Sequence, residues 1–161
     1  MARAIQISVI GAAEAEPDLL RDAEVVGRLI AEGGAVLVCG GRTGVMEAAS
    51  RGATEAGGTV VGVLPSTSPA DANPYVTHAI ATGIGEARNL AVVASGEAVI
   101  AVGGEWGTLS EIAHARKLGR PVVAIHSWTL RNRAGTDLGI VEAETPDEAV
   151  RATLSALDRV D

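Results

Sequence analysis

Residues 97–126 read EAVIAVGGEWGTLSEIAHARKLGRPVVAIH, and this stretch decides the fold. An apolar run ends at Gly103 and Gly104, a helix-like segment follows as far as Gly119, and a second apolar run begins directly after it. Strand, glycine turn, helix and strand in this order are typical of a βαβ unit, in which the two strands are parallel. Because the apolar runs are nearly continuous, we expect helices to cover both faces of the sheet.

The same alternation continues along the whole chain. Strand-like segments occupy residues 4–11, 35–41, 59–65, 75–80, 97–104, 120–126 and 138–144, and helix-like segments occupy 17–34, 43–58, 84–96, 108–119 and 146–160. This pattern predicts an α/β protein: a Rossmann-like, three-layer, doubly wound parallel sheet, in a single domain over residues 1–161. Ligands of such sheets bind beyond the carboxyl ends of the strands, where glycine-bearing turns follow Gly11, Gly40 and Val102.

Composition excludes several classes of protein. Of 161 residues, 47% are hydrophobic and 20% charged, which argues against disorder. One cysteine, Cys39, excludes a disulfide framework within the chain, and three scattered histidines indicate no metal site. The net charge of −7, with no basic cluster longer than residues 131–133, disfavours a nucleic acid partner. The dinucleotide fingerprint and the P-loop are both absent from the sequence, so an oxidoreductase is disfavoured.

The turn VGGEWGTLSE, residues 102–111, has two interpretations. In the first, Thr108 is the N-cap of a helix and Glu111 completes a capping box, which concerns stability alone. In the second, the glycines let a ligand approach the backbone, and the first amides of the helix bind a phosphate together with the Thr108 hydroxyl. A capped helix can also bind an anion, so both interpretations stay open at this point.

Three stretches resemble the Lonely Guy family of nucleotide phosphoribohydrolases, also called possible lysine decarboxylases: GGEWGTLSE (103–111), EARN (86–89) and GGRTGVMEAASRGA (40–53). The resemblance extends from the first strand to residue 125. The signature of that family is Pro-Gly-Gly-x-Gly-Thr-x-x-Glu, preceded by an Arg-Lys pair. It implies cleavage of the N-glycosidic bond of a nucleoside 5′-monophosphate, which yields the free base and ribose 5-phosphate without a metal or cofactor.

Three positions depart from that signature. Gly103 stands where the family has Pro, Glu105 where it has the second Gly, and Asn89 where it has Lys. These departures make the chain resemble more closely a sister branch that includes molybdenum cofactor carrier proteins and uncharacterised proteins related to DprA and Smf. A carboxylate at residue 105 repels a phosphate dianion unless it turns outward. The alternative function is therefore a non-catalytic carrier of a nucleotide or of a cofactor-like phosphate.

The resemblance assigns candidate roles by position. Arg88 and Glu111 are the catalytic candidates; Gly103, Gly104, Gly107 and Thr108 are the phosphate-binding ones; Gly11, Gly41, Met46, Glu47, Asn89 and Trp106 are the substrate-binding ones. Other interpretations stand beside these: a surface ion pair for Arg88 with Glu86 or Glu111, core packing for Met46, and a subunit contact in place of base stacking for Trp106.

The expected partner is a nucleotide-like phosphorylated small molecule, with no nucleic acid and no membrane. The apolar stretch at residues 4–11 alternates as a strand does, so we expect no signal peptide and a cytoplasmic location. By resemblance, we expect a homodimer or homotetramer.

Overall fold

The computed structural model describes residues 3–158. Within this range the strands are β1 Gln6–Gly11, β2 Val36–Cys39, β3 Val60–Leu64, β4 His78–Ala81, β5 Ala98–Val102, β6 Val122–Ile125 and β7 Ile140–Ala143. The helices are α1 Pro17–Glu32, α2 Val45–Glu55, α3 Arg88–Ser95, α4 Trp106–Lys117 and α5 Pro146–Leu157, with 3-10 turns at Pro69–Asp71 and Gly85–Ala87. The last two residues of the predicted helix 146–160, and the domain ends 1–2 and 159–161, lie outside the described residues.

All strand pairs in the described chain are parallel, and the strands of the sheet lie in the order β4-β3-β2-β1-β5-β6-β7. The chain moves outward from β1 to β4, crosses back to β5, and then moves outward to β7. The prediction of a Rossmann-like doubly wound sheet is confirmed. Its switch point lies between β1 and β5, where Gly11 is opposite Val102 at the carboxyl ends of the two strands.

Two apolar clusters cover the two faces of the sheet. Val9 and the other β1 side chains on its face pack against α1, α2 and α5, whereas Ile10, which points the opposite way, packs against α3 and α4. This alternation follows from the period of two residues in a strand. With three aromatic residues in the whole sequence, both clusters consist mainly of Val, Ile, Leu and Ala.

The strand β4 begins later than residue 75, where the sequence predicted it. The reason is a polar turn at Asn73, whose backbone N–H donates to the carbonyl of Gly41 (2.9 Å) and whose side-chain oxygen accepts from the N–H of Tyr75 (3.1 Å). These bonds hold the chain in a turn until it pairs with β3. In residues 3–158, no helix has both the length and the apolar composition that crossing a membrane requires.

Helices α1 and α2 are in backbone contact through two glycines. A Cβ on Gly27 of α1 would lie 1.9 Å from the carbonyl oxygen of Ala49, and a Cβ on Gly52 of α2 would lie 1.9 Å from that of Glu24. No side chain fits at either position without separating the helices. The close approach lets Val26 and Ile30 of α1 reach the same cluster as the alanines of α2.

We expect Gly27→Ala to lower the free energy of unfolding by about 1–3 kcal/mol, the usual cost of overpacking. Gly107→Ala is the matched control, because Gly107 is also helical and its added Cβ would meet nothing within 4 Å. The control should be neutral or stabilising by up to about 1 kcal/mol, since Ala favours helix. Urea unfolding of both variants measures this difference; equal stabilities would contradict the close contact.

Candidate functional site

A cavity of about 270 Å³ opens near the switch point, at the carboxyl end of β1, beside Gly40 and the first turns of α3 and α4. Seven of the twelve predicted site residues line it: Gly11, Met46, Arg88, Asn89, Gly107, Thr108 and Glu111. These residues come from four separate segments of the chain. The structure therefore brings together residues to which the family resemblance assigned roles in one site. Met46 also packs in the core, so its core-packing interpretation is confirmed, and its contact with a substrate stays a prediction.

The other five predicted residues lie outside this cavity: Gly41, Glu47, Gly103, Gly104 and Trp106. The N–H of Gly103 donates to the carbonyl of Ile125 (2.9 Å), so this N–H already has an acceptor within the fold. Gly104 has a φ of +146°, and a Cβ there would lie 2.9 Å from the Thr108 methyl carbon. Both glycines turn the chain from β5 into α4 and so give this loop its path.

Trp106 lies on the outer side of α4, with 77% of its surface exposed. Its ring is beside that of Trp128, with the ring centroids 5.4 Å apart and the ring planes at 35°. The described chain thus shows a contact that neither interpretation of Trp106 anticipated.

The predicted site residues leave out several that line the cavity, including Gly40, Glu86 and Glu105, although the sequence already placed Glu105 in the turn expected to bind phosphate. Two of them were within reach of a sequence signal. Gly40 precedes the predicted Gly41 in the same turn, and Glu86 lies two residues before Arg88. A Cβ on Gly40 would lie 2.7 Å from a guanidinium nitrogen of Arg88 and 2.7 Å from the Met46 sulfur. Gly40 therefore provides the space that Arg88 occupies.

Helix α4 begins at Trp106, two residues earlier than predicted, and Glu105 is its N-cap. The predicted capping box is wrong, because Thr108 is the third residue of the helix and the N-cap makes no side-chain hydrogen bond. The first intrahelical bond runs from the N–H of Leu109 to the Glu105 carbonyl (3.0 Å). The amides of residues 106–108 consequently have no acceptor within the helix, and Gly107 and Thr108 line the cavity.

Glu111 lies one helical turn beyond Thr108 and is only 7% exposed. Burial raises the pKa of this carboxyl from 4.5 to about 7, and the positive charge of Arg88 offsets the effect of burial only in part. Among the described residues, no hydrogen-bond donor contacts the carboxylate and no cation lies within 4.0 Å of it. A buried carboxylate without a partner destabilises the fold, which is typical of functional groups.

Arg88 is the first residue of α3 and is 8% exposed. One guanidinium nitrogen donates to the Gly40 carbonyl (3.3 Å), another donates to the side-chain oxygen of Asn89, and Nε has no partner within the described chain. Burial lowers the pKa of Arg88, and Glu111 counteracts that shift. A surface ion pair is therefore the wrong interpretation of this residue, because its side chain is buried beside the cavity.

The site can hold an anion without a metal-binding cluster. The residues that line it include Gly107, Thr108 and Arg88, which carry two helix amides, a hydroxyl and a guanidinium as potential donors, and its apolar wall includes Ile10, Ala12 and Met46. Within residues 3–158, no three His, Cys, Asp or Glu side chains are grouped closely enough to coordinate a metal ion.

A model of the SLOG cluster4 family matches residues 4–150. The chain belongs to this family. An uncharacterised protein of Archaeoglobus fulgidus is 43% identical to it over 152 residues, which cover 94% of this chain and 96% of that protein.

Two solved structures of similar length share the fold of this SLOG cluster4 protein. The molybdenum cofactor binding protein of Rippkaea orientalis is 37% identical, with a TM-score of 0.88 over 98% of this chain and 99% of that one. The molybdenum cofactor carrier protein of Chlamydomonas reinhardtii is 33% identical, with a TM-score of 0.82 over 97% and 99% of the two chains. The predicted similarity to the carrier branch is confirmed.

We expect Glu111→Gln to stabilise the protein at pH 8 but not at pH 4.5. Between pH 4.5 and 7, Glu111 keeps its proton in the folded wild type and loses it in the unfolded chain. The free energy of unfolding of the wild type therefore falls as pH rises through this range. The difference in free energy of unfolding between Glu111→Gln and the wild type should be larger at pH 8 than at pH 4.5 by an amount on the order of 3 kcal/mol. Urea unfolding at both pH values measures it.

Glu55→Gln, which removes an exposed carboxylate of α2, is the control for loss of a surface charge. Its effect should stay within about 0.5 kcal/mol of wild type. An advantage of Glu111→Gln that is the same at both pH values would show that the carboxylate is not held in an unfavourable environment.

Proposed function

We propose that this SLOG cluster4 protein binds and carries a phosphorylated small molecule of the molybdenum cofactor type. The observation that carries the proposal is the start of α4. Gly107 and Thr108, whose amides have no helical acceptor, line a cavity at the switch point together with the buried residue Arg88. Helix amides at this location are the usual phosphate-binding groups of doubly wound sheets.

The phosphate is held by the amides of Gly107 and Thr108 and by the Thr108 hydroxyl. This hydroxyl has no hydrogen-bond partner among the described residues, although the side chain is 2% exposed. Arg88 adds positive charge from the opposite helix, α3. Because Glu111 has a pKa of about 7, it accepts a proton near neutral pH, which lowers its repulsion of the anion.

The organic part of the ligand has room in an adjoining cavity. That second cavity has a volume of about 530 Å³, and Ala12 and Glu105 line both cavities. Pockets for ligands of drug size have volumes of about 300–1,000 Å³. A ligand that extends past Glu105 therefore uses both spaces, whereas the first cavity alone is small for a nucleotide-sized molecule.

The relatives support a carrier more than a hydrolase. The two solved structures are named for binding and carrying the molybdenum cofactor, and each aligns with this chain over almost its full length. The resemblance to phosphoribohydrolases is interrupted at Asn89 and Glu105, where this chain has less positive and more negative charge than that signature.

We expect the wild-type protein to bind the isolated molybdenum cofactor. Thr108→Val should bind it about tenfold less tightly than the wild type does. The variant removes one hydroxyl donor to a charged acceptor and no hydrogen bond found in the described chain. Titration followed by tryptophan fluorescence measures the dissociation constant, and molybdenum in the protein fraction after gel filtration confirms the bound species.

Ser110→Ala is the matched control, since its hydroxyl lies on the same helix, outside both cavities, and donates to the Gly107 carbonyl (2.8 Å). Ser110→Ala should bind as the wild type does. If the wild-type protein takes up no cofactor, the proposed function is wrong.

A phosphoribohydrolase is the second candidate, because Glu111 and Arg88 line the same cavity as the phosphate-binding amides. An ionised Glu111 would stabilise an oxocarbenium-like ribose or activate water, and Arg88 would stabilise the departing base.

This candidate predicts that the protein releases free base from at least one of AMP, GMP, CMP and UMP, and that Glu111→Gln abolishes the release. The carrier function predicts no release from any of them. Chromatography of the products separates the two functions, and Ser110→Ala again serves as the control.

Three further expectations remain proposals: a homodimer or homotetramer, a cytoplasmic location and the absence of a nucleic acid partner.

A further inference from the structure

The Glu105 carbonyl, at the start of α4, accepts two hydrogen bonds from different parts of the chain. One comes from the N–H of Leu109 (3.0 Å), as in any helix. The other comes from the indole Nε1 of Trp128 (3.3 Å), which lies 23 residues further along the chain, after β6. Since the N-cap makes no side-chain hydrogen bond, this indole is a tertiary anchor at the point where the helix begins.

A second contact joins the same two segments. The ring of Trp106, the first residue of α4, lies beside the ring of Trp128 at a centroid distance of 5.4 Å. Trp128 is half-buried and packs against the cluster on the α3 and α4 face, whereas Trp106 is exposed. The half-buried Trp128 ring thus supports the exposed Trp106 ring. Tilted aromatic pairs at this distance attract each other.

The backbone between β6 and Trp128 is strained. His126 has a φ of +48° and is the one non-glycine residue with positive φ among residues 3–158. Such a conformation persists when the surrounding structure determines it, and it is concentrated at functional sites. Here it lies directly after β6, two residues before Trp128.

We propose that Trp128 is a positioning residue for the anion-binding amides. It holds the Glu105 carbonyl through its indole N–H and the Trp106 ring through stacking, so the first turn of α4 is kept in one orientation. Gly107 and Thr108 follow directly in that turn, and both residues line the cavity. This role rests on the proposed function, but its structural part is testable without any ligand.

The test compares Trp128→Phe with Trp106→Phe in the full-length protein. Each variant removes one indole and keeps an aromatic ring. Only Trp128→Phe removes a hydrogen bond, because the Trp106 indole donates none to the described residues. We expect the Leu109 amide, which donates to the Glu105 carbonyl, to exchange hydrogen about fivefold faster in Trp128→Phe, a factor that corresponds to the loss of one neutral hydrogen bond. Exchange of the Leu109 amide should stay at the wild-type rate in Trp106→Phe.

A second measurement uses the isolated molybdenum cofactor as probe, with binding measured by its molybdenum content after equilibrium dialysis. Trp128→Phe should weaken binding severalfold without changing exchange in the sheet, and Trp106→Phe should weaken it less. Unchanged exchange of the Leu109 amide in Trp128→Phe overturns the positioning role, whatever the cofactor does. Absence of binding by the wild type overturns the proposed function alone, because the exchange result still decides the role of Trp128.

Discussion

The parallel pairing of β1 with β5 is the constraint on which the rest of the structure depends. These strands are adjacent in the sheet although some 90 residues separate them, and their register places Gly11 opposite Val102. The chain leaves β1 toward α1 on one face and leaves β5 toward α4 on the other. Because the two connections diverge, the carboxyl ends of these strands cannot be covered by either, and the cavity is the space that remains.

The cavity combines groups that a purely structural interior would avoid. Arg88 and Glu111 are both more than nine-tenths buried. Burial lowers the pKa of Arg88 and raises the pKa of Glu111, so it favours the neutral form of each side chain. Their mutual attraction does not restore ordinary values, since no salt bridge within 4.0 Å joins them in the described chain. Such a pair at the switch point costs stability, and buried groups with shifted pKa values are typical of functional sites.

The fold was predictable because its signals are local. Continuous apolar runs predict buried parallel strands, and helical periodicity with glycine turns predicts the layers, so the alternation of elements agrees with the structure. The start of α4 was not predictable in the same way. Thr108 and Glu111 form a good local capping pattern, but the helix begins two residues earlier, at a carbonyl that also binds the distant Trp128. A contact between residues 23 positions apart has no signal in a short window of sequence.

The charge balance of the site favours carriage over hydrolysis. Its lining residues include three acidic ones, Glu86, Glu105 and Glu111, and one cation, Arg88, so an ionised Glu111 leaves the set with a net negative charge. A phosphate in this cavity raises the pKa of Glu111 further, because neighbouring negative charges disfavour ionisation. A hydrolase of this type needs that carboxylate ionised while phosphate is bound, whereas a carrier binds phosphate best when it is neutral. The protonation that removes the catalytic form of Glu111 near pH 7 therefore also lessens the repulsion between this side chain and a bound anion.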